Sequence, residues 1–318
     1  MNTQKTGEAT SATRAAESFA RIEKKYLVKR AIWPALSQAL HEHLQEEPFG
    51  RGSVNSLYYD TPRNDMITAS MGKPFYKEKL RIRAYGEPAA DEAVFVELKT
   101  KVKGSSYKRR VATSCGAAQA WLAGMLYAEA CARFPLRSTV HRTASSSSMP
   151  SHHPSESVSL QIVREIDAAR KRHAPLSPSI MTIVERVALT SASRSDVRVT
   201  FDFDARWRMK DLSFDTGLSG TPLFADGCII MEVKCQGAYP LWLAQLLSRF
   251  CLRPQPCSKV CRALEAARQI HPIGTLSPDS QQQSLQESTA QWLASNNQFA
   301  RYTNYLSNDR LSISEQSA

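Results

Sequence analysis

No run of about 18 apolar residues occurs in the 318-residue chain, so no membrane-spanning helix is expected. The opening stretch MNTQKTGEATSATRAAES also lacks the apolar core of a signal peptide. Cysteine occurs seven times, at 115, 131, 228, 235, 251, 257 and 261, and never as a CxxC pair. An odd count without close pairs argues against a secreted disulfide scaffold and for reduced, structural thiols, and a cytoplasmic setting is the expectation. No internal repeat occurs. Acidic residues are scarce, 30 Asp and Glu against 41 Lys and Arg, a formal net charge of +11. That balance favours an anionic partner: nucleic acid, a lipid surface, or a small polyanion such as a nucleotide or phosphate chain.

What the chain does contain is a 42% hydrophobic composition, enough for a sizeable core. It is expected to divide into a polar tail over 1–18, an ordered domain over 19–272 and a second polar tail over 273–318. A Ser-, His- and Pro-rich insert at about 140–156 interrupts the domain. The densest chemistry lies in KLRIRAYGEPAADEAVFVELKTKVKGSSYKRR, from Lys79 to Arg110. Arg81 and Arg83 flank Ile82; Glu97, Lys99 and Lys101 recur at every second residue; Lys108 and Arg110 repeat the step. On strands, each set lies on one face.

Period-two alternation predicts eight strands. They are Phe19 to Val28, VNSLYYDTP, three in the basic stretch turning at Gly86 and Gly104, MTIVERVALTS, DVRVTFDFD and CIIMEVKC. About five helices are expected, at WPALSQALHEHLQ, Ala117 to Phe134, Val158 to His173, PLWLAQLLSRF and SKVCRALEAARQI. A solvent-facing sheet normally mixes both signs with uncharged polar residues, whereas these rows are dominated by Lys and Arg. If the sheet closes into a barrel with helices outside, the charged rows line its interior, a tunnel for a polyanion with cations spaced to grip phosphates. Arg109 should point away from Lys108 and Arg110. Tyr58, Tyr59 and Tyr85 read as packing residues, and no aromatic platform for single-stranded nucleic acid is evident.

The ordered series RIEKKY, SLYYDT, KLRIRAYG, VFVELKTK, YKRRV, VERVAL, VRVTFD, IMEVK and CSKV resembles the VTC-type polyphosphate polymerase domain, a branch of the triphosphate tunnel metalloenzymes. The resemblance implies an α+β fold with an eight-stranded antiparallel tunnel barrel and helices outside. It also implies ATP and polyphosphate as ligands with Mn²⁺ or Mg²⁺, and transfer of the terminal phosphoryl group of ATP onto a growing chain. Carried over by motif, Arg81, Arg83, Lys99, Arg186 and Arg198 would serve the reaction. Lys25, Lys108, Arg110, Lys234, Ser258 and Lys259 would bind phosphate, and Glu232 would hold the metal. Glu97 and Glu23 would either add a second carboxylate or neutralise nearby lysines.

The sequence departs from the pattern at Pro256, where a basic residue is common, at Val260, where an aromatic is common, and at Val184 and Glu185, near a usual tyrosine. Two other classes stay open. Tunnel-fold triphosphatases and cyclases begin with an E-x-E-x-K strand, whose first position here is Arg21. A binding module would keep the cations without turnover.

Overall fold

The computed structural model describes residues 21–72, 74–103, 105–137, 156–191 and 197–270. The expected tails, insert residues 140–155, the Gly104 turn and the Ser-rich turn at 192–196 lie outside these. The strands are β1 (Arg21–Val28), β2 (Gln45–Asp60), β3 (Tyr76–Tyr85), β4 (Ala93–Val102), β5 (Ser105–Ser114), β6 (Ser177–Thr190), β7 (Val197–Arg208), the two-residue β8 (Thr221–Pro222) and β9 (Ile229–Gln236). The helices are α1 (Trp33–His41), α2 (Asp65–Met71), α3 (Cys115–Leu122), α4 (Tyr127–Arg133), α5 (Glu156–Arg172), α6 (Leu241–Arg249) and α7 (Lys259–Ile270).

One antiparallel sheet runs β1-β9-β7-β6-β2-β3-β4-β5, with β8 on β7. The α+β class, the eight long strands and the outer position of α1, α3, α4, α5 and α6 agree with the expectation from sequence, whereas α7 packs on the inner face. The enclosure is made by curl: among the described residues no ladder joins β1 to β5. Register shifts between Glu46 and Arg51, between Tyr58 and Tyr59, and between Ile183 and Glu185 interrupt the β2–β6 and β6–β7 ladders, and such irregularities bend strands. Lys99 of β4 feels the charges of Glu23 and Lys25 on β1 and Glu232 on β9. The two ends of the sheet therefore face each other.

Alternation decides which face is dry. On β3, Leu80, Ile82 and Ala84 are fully buried, and they join Val94, Val96 and Leu98 of β4 beneath α3, α4 and α5. Helix α5 meets this layer with Val163, Ile166 and Ala169, a helical stripe. A second outer layer packs Val199 and Phe201 of β7 and Met231 and Val233 of β9 under Leu36 and Leu40 of α1 and Leu243 of α6. Each fully buried large apolar side chain contributes about 1.5–3 kcal/mol. The concave face is thereby left to the charged rows and to the apolar seat of α7 around Tyr58, Ile180 and Trp207.

Several elements differ from expectation. β2 begins at Gln45 rather than Val54, through a Pro- and Gly-containing stretch that hides the alternation. The helix expected over 117–134 is two helices, broken where Gly124 takes φ +129. Short α2 follows Asp60, whose carboxylate accepts the backbone N–H groups of Thr61, Met66 and Ile67. No described helix is long and apolar enough to cross a membrane.

Candidate active site

Pairing registers place the predicted residues on the concave face. Lys25 pairs with Glu232, which pairs with Thr200. Lys234 pairs with Arg198, and Asp202 with Arg186. Arg81 pairs with Tyr58 and Glu97, and Glu97 with Arg110; Lys99 lies between Lys79 and Lys108. Arg109 turns outward to Glu165 of α5, 2.6 Å away.

Glu97 is the hub of β3, β4 and β5. Its carboxylate, 1% exposed, receives Arg81 at 2.6 Å, Lys108 at 2.8 Å, Arg110 at 2.9 Å and, more loosely, Arg83 at 3.7 Å. Burial alone would raise its pKa, but Arg81, Arg83 and Lys108 outweigh burial and hold it well below the usual carboxylate range. Four cations meet a single charge. Arg83 shows the excess: its buried Nε has no hydrogen-bond partner, and burial together with Arg81 lowers its pKa. Burial likewise lowers Lys99 and Lys108. Glu97 therefore reads as an internal counterion, and its four cations leave it no free side for a metal.

Opposite them, helix α7 reaches into the concave face. Its stripe of Val260, Ala263, Leu264 and Ala267 packs with Tyr58, Ile180 and Trp207, which brings the preceding Cys257–Ser258 turn inside. Ser258 Oγ accepts from Lys79 Nζ at 3.0 Å, and Cys257 O accepts from Lys25 Nζ at 3.1 Å. Lys259 Nζ donates to Asp202 at 2.5 Å, and Arg186 donates to both oxygens of the same carboxylate at 2.7 and 3.0 Å. Tyr58, buried on this floor, accepts from Arg81 Nη1 at 2.8 Å. Burial raises its phenol, but Arg81, Lys79, Arg83 and Lys259 overcome that and bring it down to about 8.

Glu232 lies between Lys25 at 3.4 Å and Lys234, in closer contact. Burial raises its pKa, and these lysines bring it down to about 2. Among the described residues, no three His, Cys, Asp or Glu side chains gather to form a metal cage. Mg²⁺ and Mn²⁺ take oxygen ligands and can use one carboxylate, with phosphate and water completing the shell. Glu232 is therefore the carboxylate that could give such an ion one protein oxygen, in exchange for a lysine contact.

At the other end, Arg198 forks onto Glu47 at 2.5 and 2.7 Å. Tyr85 packs edge to face against Phe95, with centroids 6.0 Å apart, yet is 54% exposed. Tyr58 and Tyr59 are buried as expected. The sequence reading assigned no role to Asp202, Lys79 or Glu47. Asp202 shares the alternation of Arg198 and Thr200, and Lys79 that of Arg81, so both were reachable from period two. Glu47 was not, because the start of β2 shows no alternation.

The strands thus form a curled antiparallel sheet whose concave face is lined by cations. The VTC domain model matches residues 20–268, and the chain belongs to that family. No curated protein matches the sequence. Solved structures resembling it include a candidate adenylate cyclase from Vibrio parahaemolyticus, 12% identical over 77% of this chain and 98% of that one, with a TM-score of 0.38. A protein from Pyrococcus horikoshii OT3 is 11% identical over 78% and 99%, with a TM-score of 0.37. A candidate adenylyl cyclase from Hippeastrum, described with a dominant triphosphatase activity, is 15% identical over 80% and 99%, with a TM-score of 0.42.

Proposed function

We propose that the protein is a polyphosphate polymerase that transfers the terminal phosphoryl group of ATP onto a growing phosphate chain. The observation that carries this reading is the convergence of Arg81, Arg83, Lys108 and Arg110 on the single buried carboxylate of Glu97. That charge excess faces inward, where a linear polyanion would complete it. Phosphoryl transfer asks little covalent chemistry of a protein; alignment and charge dispersal dominate. Arg81, Arg83, Lys99, Arg186 and Arg198 would align the γ-phosphoryl group and neutralise its equatorial oxygens. Lys25, Lys108, Arg110, Lys234, Ser258 and Lys259 would hold the chain. A terminal chain oxygen then bonds to the γ-phosphorus as the bond to the β–γ bridging oxygen breaks, and ADP leaves with that electron pair. Glu232 would hold Mn²⁺ or Mg²⁺, and the ion would supply positive charge to offset that on the phosphate oxygens.

The test is a product assay with ATP and Mn²⁺ or Mg²⁺. ADP together with acid-labile polyphosphate is expected. Free phosphate alone moves the protein to the triphosphatases, and binding without turnover under either metal makes it a polyphosphate-binding module.

A further inference from the structure

The concave face is not uniform along its length. Near α7 its cations are mostly lysines: Lys25, Lys79, Lys99 and Lys259. Toward the end of β3 four arginines, Arg83, Arg110, Arg186 and Arg198, gather around Tyr85, with Lys108 and Lys234 beside them. A guanidinium fork fixes a phosphate in one orientation, whereas an ammonium acts as a point charge with no preferred register. The arginine end suits one defined triphosphate, and the lysine end suits a chain that must advance.

Tyr85 closes the arginine end. As the last residue of β3 it shares the face of Arg81 and Arg83, and unlike the buried Tyr58 it is more than half exposed. Its ring is nevertheless fixed. It meets Phe95 edge to face, with centroids 6.0 Å apart at 83°. The Arg110 guanidinium lies over Phe95 at 3.8 Å and donates to Tyr85 Oη at 3.3 Å. Arg186 and Arg198 are close enough to feel the charge of the phenol. Beside it, Gly86 at φ +77 has no atom within 4 Å of where a Cβ would stand, and Asn55 Nδ2 ties down the Gly86 carbonyl at 2.7 Å. The turn is therefore both open and held.

We propose that Tyr85 is the platform on which a nucleobase stacks, so that the arginine end takes a nucleoside triphosphate in preference to an inorganic one. This rests on the phosphate-binding reading of the concave face. Four residues of strand separate Tyr85 from Arg81, roughly 13 Å, which matches the reach of an extended nucleotide from its base to its terminal phosphate. With the base on Tyr85, the α- and β-phosphates lie beside Arg83 and Arg110 and the γ-phosphate beside Arg81, with its far side toward the lysines.

Calorimetric titration of the full chain with ATP and, separately, with inorganic triphosphate, both in EDTA so that no turnover intervenes, tests the platform. Stacking of one base on one ring implies that Tyr85→Ala weakens ATP binding by roughly 5- to 100-fold, with inorganic triphosphate unchanged within about twofold. Tyr85→Phe, which keeps the ring and loses the bond to Arg110, should retain the wild-type preference. Equal weakening of both ligands by Tyr85→Ala, or undiminished ATP binding, overturns the platform while leaving the phosphate site standing. Wild-type protein that binds neither ligand overturns both readings.

Discussion

Lys259, in the first turn of α7, donates to Asp202 of β7 at 2.5 Å, and that contact joins the start of the helix seated in the concave face to the centre of the sheet's inner surface. Asp202 is 2% exposed and also holds Arg186. Asp202→Asn leaves two buried cations facing a neutral amide. Breaking one member of a buried charge cluster costs about 3–5 kcal/mol, so a marked drop in the urea midpoint is expected. The loss should be partly reversed by adding polyphosphate, which supplies the missing charge. A midpoint equal to wild type without ligand would show that the cluster does not stabilise the fold.

Arg83 should behave in the opposite way. Its Nε is buried without a partner and its charge is disfavoured by burial and by Arg81. Arg83→Met keeps the aliphatic stem and removes that conflict, so the ligand-free protein should gain about 0.5–2 kcal/mol, as when a strained functional site is relaxed. Affinity for inorganic polyphosphate should fall at the same time, with a shallower dependence on salt. Thermal melts with and without polyphosphate measure both halves; a variant less stable when empty contradicts the idea.

Much of this was legible in the sequence because a strand side chain has only two directions to take. Once KLRIR and VELKTK were read at period two, the residues sharing a face followed, and the registers bring Arg81, Glu97 and Arg110 into one row. Curl was not legible: it depends on register shifts such as that between Ile183 and Glu185, which leave no residue pattern. Nor did alternation tell which lumen carboxylates are sealed. Glu97 in Val96-Glu97-Leu98 and Glu232 in Met231-Glu232-Val233 look alike in pattern, yet one lies under four cations and the other between two lysines.

Glu232 carries a prediction in pH as well as in turnover. Its carboxyl titrates at about 2 in the folded protein, below the ordinary unfolded value of about 4.3. The unfolded chain therefore binds the proton first as the medium is acidified, and the stabilisation, complete above about pH 5, declines as pH falls through 2. Glu232→Gln should flatten that part of the acid limb of the stability curve. It should also abolish ATP turnover while leaving polyphosphate bound, because the lysines remain. Full activity in the Gln variant removes Glu232 from the site.

Tyr58 gives the concave face an optical reporter. Its phenol is buried and would titrate high on that account, but Lys79, Arg81, Arg83 and Lys259 pull it down to about 8. Those same cations are the ones a polyanion would neutralise. In the ligand-free protein a tyrosinate absorbance band should grow in at about pH 8, well before an ordinary phenol near 10, and Tyr58→Phe should delete it. Saturating inorganic polyphosphate should move the band upward toward 10, since each neutralised cation withdraws support from the phenolate. Binding at pH 8.5 must then be accompanied by proton uptake, measurable as a buffer-dependent heat of titration. If polyphosphate binds and the band stays at about 8, the chain lies elsewhere than among these four cations.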